Sequence, residues 1–177
     1  MEYVDIVDEN DTVLSYASRD ECHKNSLLHR SVEIFIFKDS SLKNILLQKR
    51  GIKNEFPPGR LCGSAGGHVM KGESYLMGAK RELEEELFTK GIPKTIKLKK
   101  IDKFKINDFP GNYEIKVLYF ATYNGTFDWS GEDLAENPKF VKMKDLIEDI
   151  KNNPENYTEA FKISLERFLN KMRKSKL

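Results

Sequence analysis

The spacing of hydrophobic residues along the chain predicts alternating strands and helices, typical of an α/β fold. Apolar residues that alternate with polar ones, or that form short continuous runs, indicate strands, whereas a period of three to four residues indicates an amphipathic helix. The strand pattern predicts an N-terminal hairpin at a sheet edge, at residues 3–7 with 12–14, and a central strand at residues 32–37. Further strands are predicted at residues 44–50, 95–106, 113–123 and 139–143, and a Pro/Gly-containing loop precedes residues 61–67. The helical pattern predicts helices at residues 73–88, 146–152 and 158–171. A further short helix, capped by Ser18 or Asp20, is expected before the central strand.

Composition and charge limit the classes of function. With 177 residues, 39% of them hydrophobic and 33% charged, the chain is expected to form a single domain over residues 1–177. The 30 basic residues nearly balance the 28 acidic ones, which argues against a nucleic-acid polymer as partner. No window approaches the roughly 18 uninterrupted apolar residues that a membrane helix needs. The acidic N-terminus has no apolar signal region, and Cys22 and Cys62 form no disulfide framework, so the cytoplasm is the expected compartment.

The helix predicted at residues 73–88 carries carboxylates on one face. A core-facing stripe is formed by Ala79, Leu83, Leu76 and Leu87. Glu82, Glu85 and Glu86 share the adjoining face, and Glu84 points elsewhere. Like charges at this spacing cost about a few tenths of a kcal/mol per pair. A divalent cation is the natural compensator, because Mg²⁺ prefers carboxylate oxygens; a solvated acidic face is the alternative.

The spacing around these carboxylates resembles the loop-helix signature of the Nudix hydrolases. Gly67 is followed after five residues by Glu73, and seven further residues precede Arg81-Glu82-Leu83 and then Glu85-Glu86, so that seven fixed positions match. The chain departs from the family pattern where the helix should end, because Phe88 and Thr89 replace a glycine and an aliphatic residue. A different helix exit is therefore expected.

The resemblance implies a fold, a reaction and a set of site residues. The fold is a Nudix-type α/β/α sandwich with a mixed β-sheet, here with an N-terminal β-hairpin and C-terminal helices. The reaction is the Mg²⁺- or Mn²⁺-dependent hydrolysis of a diphosphate linkage in a small molecule, such as a nucleoside diphosphate derivative. The implied catalytic residues are Glu85, Glu86, Arg81 and Glu73. The implied metal ligands are the carboxylates of Glu82, Glu85 and Glu86 and the backbone carbonyl of Gly66. Arg81 would pair with Glu73 and orient the carboxylates, and Gly67 would allow a tight turn beside the ions.

A second resemblance concerns the histidines. His23 and His29 precede the central strand and His68 follows Gly67, as in the branch of the Nudix superfamily that includes isopentenyl diphosphate isomerases. That similarity implies a second metal site formed by His23, His29, His68 and Glu114. Asn112 stands where a further carboxylate would be expected. Gly66 stands where the isomerase has its essential cysteine, and Cys62 lies four residues upstream, which disfavours isomerase chemistry.

Three function classes therefore remain after sequence analysis. These are a hydrolase, an isopentenyl diphosphate isomerase-like enzyme, and a non-catalytic ligand-binding module on the same fold. Phosphate contacts are assigned to Arg50, Lys53 and Arg60. The general base outside the helix is assigned to one of Glu132, Asp133 and Glu136. The exposed edges of the N-terminal hairpin offer a surface for a homodimer.

Overall fold

The structure, a computed structural model, describes residues 2–51, 58–108, 110–128 and 134–174, with the backbone alone for 134–136. Across these ranges the chain forms β1 (Tyr3–Val7), β2 (Val13–Ser18), α1 (Arg19–Asn25), β3 (His29–Phe37), β4 (Asn44–Arg50), β5 (Leu61–Cys62), β6 (Ala65–His68), α2 (Tyr75–Leu87), β7 (Lys99–Asn107), β8 (Tyr113–Thr122), β9 (Leu134–Lys142), α3 (Met143–Asn152) and α4 (Glu159–Lys174). None of the helices in these ranges is long and apolar enough to cross a membrane.

Strand β3 is the centre of a mixed sheet. It pairs in parallel with β8 along its whole length, from His29 opposite Glu114 to Phe37 opposite Thr122. On its other edge it pairs antiparallel with β6, and single residue pairs join it to β1 and β4. The remaining strands extend the sheet outward, with β2 on β1, β7 on β8, and β5 and β9 on β4. The mixed sheet expected from the sequence is confirmed.

Helices cover both faces of the sheet. Because side chains alternate along a strand, β3 sends Val32, Ile34 and Ile36 into a core beneath α2 and sends Phe35 and Phe37 into a core beneath the C-terminal helices. The α2 side is completed by Ala79, Leu83 and Leu87, all 0% exposed. The opposite side is completed by Phe161, Leu165 and Phe168 of α4, the stripe predicted for that helix. The α/β/α sandwich is therefore confirmed.

Helix α1 is short but well capped. The hydroxyl of Ser18 accepts a hydrogen bond from the backbone N–H of Glu21, and the Glu21 carboxylate accepts one from the N–H of Ser18. This reciprocal capping box shows that the N-cap is Ser18 and not Asp20. The helix ends at Ser26, which has left-handed backbone angles. The result is a fixed placement of His23 beside the start of β3.

Three local predictions are wrong. Leu76 is 43% exposed instead of buried, because it lies in the first turn of α2, where the partly buried ring of Tyr75 meets the core instead. The strand predicted at 95–106 starts only at Lys99, since residues after Pro93 form a turn closed by the Ile96 N–H on the Pro93 carbonyl. The last strand runs over Leu134–Lys142, and Met143 begins α3.

Candidate active site and histidine centre

Two adjacent glycines of β6 allow α2 to approach the sheet closely. A Cβ atom on Gly67 would lie 2.5–2.7 Å from the carboxylate atoms of Glu82, and one on Gly66 would lie 2.6 Å from the carbonyl oxygen of Val32. A glycine is thus required at position 67 because a side chain would have no space there. The prediction of a tight turn at Gly67 is wrong, because this residue lies within strand β6. Glycine here brings a helix carboxylate directly against the backbone.

The carboxylates of α2 converge on the edge of β6 that carries no other strand in the described ranges. Glu86 accepts hydrogen bonds from the Gly66 backbone and from Nε2 of Gln48, the latter at 3.0 Å. The Gly66 carbonyl projects toward the same edge as its N–H, as in any extended strand. Glu82 is 8% exposed and Glu85 lies further out. Glu86 therefore contacts Gly66, Glu82 lies against Gly67, and Glu85 shares Nη1 of Arg81 with Glu82.

Burial opposes the charge on two of these carboxylates. It raises the pKa of Glu86 to about 8, with the nearby Glu82 acting in the same direction and hydrogen bonds from Gln48 and Gly66 acting against it. It also raises the pKa of Glu82 to about 7, even though the Arg81 guanidinium favours the charged form. Crowded carboxylates whose charge is opposed by burial gain charge compensation from a divalent cation.

Arg81 is fixed by contacts to all three of its nitrogen atoms. Nε donates to Glu73 at 3.0 Å, and Nη1 donates to Glu82 at 2.7 Å and to Glu85 at 3.0 Å. Nη2 donates to Glu73 at 3.1 Å and to the backbone carbonyl of His68 at 2.7 Å. The predicted pair with Glu73 is present, and the contact with His68 is an addition that the sequence did not indicate.

The three histidines come together on the far side of β6. One donor nitrogen from each of His23, His29 and His68 lies within 4.8 Å of the others, and Nε2 of His23 is 3.2 Å from Nε2 of His68. Nδ1 of the fully buried His29 lies 2.7 Å from the Leu27 carbonyl, and because a carbonyl oxygen only accepts, Nδ1 is the donor in this contact. Nε2 of His29 is buried and has no hydrogen-bond partner in the described ranges. Burial lowers the pKa of His68 to about 3, so its ring is neutral at pH 7.

Glu114 completes this group, because one of its oxygens faces the imidazoles and the other is held from behind. Oε1 lies 3.8 Å from Nε2 of His29 and 3.6 Å from Nε2 of His68. Oε2 accepts a hydrogen bond from Ser31 at 2.8 Å and lies 3.5 Å from Nζ of Lys116. Burial alone would raise the pKa of Glu114, but the Lys116 ammonium, the adjacent His68 and His29 rings and the Ser31 hydroxyl together outweigh it and lower the pKa to about 2.

Several buried polar residues near this centre were missed from the sequence. Lys116 also lies 3.8 Å from Glu33, whose other contact is the Ser164 hydroxyl of α4. Burial raises the pKa of Glu33. Burial alone would lower the pKa of Lys116, but the carboxylates of Glu114 and Glu33 outweigh it and raise that pKa. Asn112, at the expected position of a carboxylate, donates to Asp108 at 2.5 Å. The alternation of strands β3 and β8 places Glu33 and Lys116 on one face of the sheet.

Only some of the residues assigned to phosphate binding and to base catalysis lie in the described ranges. Arg50 ends β4, and its buried Nε has no hydrogen-bond partner in the part of the chain that the structure describes. Arg60 lies beside it, since its carbonyl accepts from the Arg50 backbone N–H at 3.0 Å. The assigned residues that lie outside the described ranges are Lys53, Glu132 and Asp133, together with the side chain of Glu136.

Comparison with known proteins identifies the family. Residues 27–161 match the family model of the NUDIX domain. An uncharacterised Nudix hydrolase of Yersinia pestis is 42% identical over 93 residues, which are 52% of this chain and 50% of that protein. The chain thus spans about half the length of the curated relatives it matches first. Isopentenyl-diphosphate Delta-isomerase 2 of Photorhabdus laumondii is 31% identical over 160 residues, which are 89% of this chain and 86% of the relative.

Solved structures agree on the fold. The DR0079 protein of Deinococcus radiodurans superposes with a TM-score of 0.76 at 19% identity, covering 94% of this chain and 99% of that one. The NUDIX domain of NrtR from Shewanella oneidensis, solved with ADP ribose, gives a TM-score of 0.53 at 17% identity over 68% of this chain and 75% of the other. The protein belongs to the Nudix hydrolase family.

Proposed function

We propose that this protein hydrolyses the diphosphate linkage of a small molecule with the help of a divalent cation. The observation that carries the proposal is the grouping of three carboxylates, in which Glu86 accepts from the Gly66 backbone while Glu82 and Glu85 share Nη1 of Arg81. These carboxylates and the Gly66 carbonyl would hold Mg²⁺ or Mn²⁺. The bound ion would activate water and neutralise charge on the bridging phosphate oxygen.

The protein's own groups contribute orientation and charge. Arg81 holds Glu82 and Glu85 from one side and is itself held by Glu73, so the ligand oxygens are fixed before a cation arrives. Glu86, whose pKa burial raises to about 8, gives up its proton when a cation binds. Nε of Arg50 is a buried donor that has no hydrogen-bond partner among the described residues, and it is suited to a phosphate oxygen. We assign Lys53 and Arg60 to the same role.

We further propose that His23, His29, His68 and Glu114 bind a second metal ion. A ligand set of three imidazoles and one carboxylate oxygen favours a transition metal such as Zn²⁺ over Mg²⁺. The Leu27 carbonyl on Nδ1 of His29 and the Ser31 hydroxyl on Oε2 of Glu114 fix the orientation of two of the four ligands. No donor atom needs to rotate far, because the three imidazole nitrogens already lie within 4.8 Å.

The substrate class that we propose is a nucleoside diphosphate derivative or a similar small diphosphate. The NrtR domain, a structural neighbour, is one that binds ADP ribose, a molecule of this class. The near balance of 30 basic and 28 acidic residues supports a small-molecule substrate over a nucleic-acid polymer. The remaining proposals are a single domain over residues 1–177, action in the cytoplasm without a membrane partner, and a homodimer formed through the N-terminal hairpin.

An isopentenyl diphosphate isomerase-like activity is the second candidate, favoured by the Photorhabdus laumondii relative and by the histidine cluster. Two observations weigh against it. Gly66 offers no thiol, and burial raises the pKa of Cys62 to about 12, so this thiol stays protonated at neutral pH. A ligand-binding module without turnover is the third candidate.

A substrate panel tests these candidates together. Nucleoside triphosphates, nucleoside diphosphate sugars, dinucleotides and isopentenyl diphosphate are incubated with the protein and Mg²⁺ or Mn²⁺, and phosphate-containing products and allylic isomers are both measured. Glu86→Gln is expected to lower hydrolysis by roughly 100-fold or more, as for loss of a catalytic group. The matched control is Glu84→Gln, an exposed residue of the same helix, which should retain activity. Isomer formation without hydrolysis, or no turnover at all, would reject the proposal.

A further inference from the structure

Strand β6 lies between the two candidate metal centres and contributes residues to both. Successive side chains of a strand point to opposite faces. The Gly67 Cα therefore faces the Glu82 carboxylate, whereas the His68 ring, one residue later, packs against the rings of His23 and His29 at centroid distances of 5.2 and 5.1 Å. A movement of this short strand changes the geometry of both centres.

The outer edge of β6 is satisfied by side chains of α2 instead of by another strand. The N–H of Gly66 donates to Glu86, and the carbonyl of His68 accepts from Nη2 of Arg81 at 2.7 Å. On the inner edge, the antiparallel register with β3 places His68 opposite Ser31. The backbone of His68 is therefore held between Arg81 on one side and β3 on the other.

Arg81 is suited to hold His68 because its own position is determined independently. Its Nε and Nη1 are occupied by Glu73, Glu82 and Glu85, so the planar guanidinium cannot turn away from the His68 carbonyl without losing charged hydrogen bonds. A lysine at this position would keep the positive charge, but a single ammonium group cannot reproduce the five donors of the fork.

We propose that Arg81 is a positioning residue for the histidine centre as well as for the helix carboxylates. It acts through the backbone of His68 and touches no imidazole. The proposal rests on the second metal site proposed above. Groups that orient metal ligands from behind typically change metal affinity by about 10- to 100-fold when they are removed.

Co²⁺ provides a direct test, since its visible absorption spectrum reports the number and geometry of its ligands. The protein is titrated with Co²⁺ in excess Mg²⁺, which occupies the helix carboxylates. Arg81→Lys is expected to weaken Co²⁺ binding by about tenfold and to change the absorption spectrum. Lys80→Ala, which removes an exposed charge from the same helix, should leave both unchanged.

Two further variants separate this inference from the proposed hydrolysis. His23→Ala should abolish tight Co²⁺ binding, and Glu86→Gln should lose hydrolysis while keeping Co²⁺ binding. If Arg81→Lys does not fold, Glu73→Gln tests the same point, because Glu73 holds Nε and Nη2 of Arg81; a smaller loss of Co²⁺ affinity is then expected.

Wild-type affinity and spectrum in Arg81→Lys would overturn the positioning role. Equal Co²⁺ binding by the wild type and His23→Ala, or no Co²⁺ binding by either, would overturn it as well. The substrate panel with Glu86→Gln does not depend on the histidines, so it decides separately whether the hydrolase proposal survives.

Discussion

Gly67 lies so close to Glu82 that a larger residue cannot fit without moving the carboxylate. Glu82 is 8% exposed and is held by Arg81 at 2.7 Å, so its side chain has little freedom to retreat. Gly67→Ala is therefore expected to lower metal-dependent hydrolysis at least about tenfold and to destabilise the protein by about 1–3 kcal/mol, as overpacking commonly does. Activity assays and denaturant unfolding measure the two effects.

The double variant Gly67→Ala/Glu82→Ala is the matched control for this prediction. Truncating Glu82 removes the atoms that the new methyl group would meet, so the double variant should be more stable than Gly67→Ala while remaining poorly active. Equal stability of the single and double variants would show that the close approach of Gly67 and Glu82 is not the cause of the loss.

Residue spacing predicted the helix carboxylates but could not predict the groups behind the histidines. Glu82, Glu85 and Glu86 lie on one helix, where sequence distance determines spatial distance. Ser31 and Glu114, in contrast, are 83 residues apart and meet only because β3 and β8 pair in parallel. The contacts of Lys116 could not be predicted either, because its partner Glu33 lies on a strand that is distant in sequence. The mostly apolar sequence of β8 also gave no sign of a buried lysine.

Asp11 is one of the residues that attach the N-terminal hairpin to the rest of the fold, in addition to the pairing of β1 with β3. Its carboxylate accepts from Nε of Arg30 at 2.6 Å and from the Tyr75 hydroxyl at 3.0 Å, and it pairs with Lys103. Asp11 also has a left-handed backbone angle, φ 68°. One residue of the hairpin turn thus connects β2 to β3, α2 and β7.

Replacement of Asp11 should loosen the hairpin as a unit. Asp11→Ala removes the charged contacts and is poorly suited to a positive φ, so a loss of about 1–3 kcal/mol in the free energy of unfolding is expected. Asp11→Asn tolerates the backbone angle and should lose less. Denaturant unfolding and amide hydrogen exchange at β1 and β2 check the prediction; Asp39→Ala, in an exposed turn, is the control. Equal effects at Asp11 and Asp39 would contradict it.

Element types were predictable where hydrophobic periodicity was long, and element ends were not. The strand at Asn44–Arg50 matches the expected range. Strand β9 starts five residues earlier than expected, at Leu134, because its pairing with β4 extends it through polar residues. At the end of α2, Phe88 replaces the glycine of the family pattern and is buried against Tyr123 and Phe127, so tertiary packing ends this helix.

For the whole molecule, the partly buried carboxyl of Glu86 predicts a pH dependence of stability in the absence of metal. Burial raises its pKa from 4.5 to about 8, so between these values the folded protein holds a proton that the unfolded chain releases. Raising the pH through this window therefore lowers the free energy of unfolding. Glu86→Gln cannot titrate, so its melting temperature in EDTA should fall less between pH 5 and pH 8. Parallel curves for the two proteins would refute the assignment.

The parallel pairing of β3 with β8 also has a consequence for the order of folding. Ser31 and Glu114 are separated by a long stretch of chain that must close before they meet, and such closure is slow compared with local helix formation. His23 and His29 are synthesised before their carboxylate partner, Glu114 of β8. The proposed histidine centre can therefore be assembled only after β8 has been translated, whereas the carboxylates of α2 are brought together as soon as that helix forms.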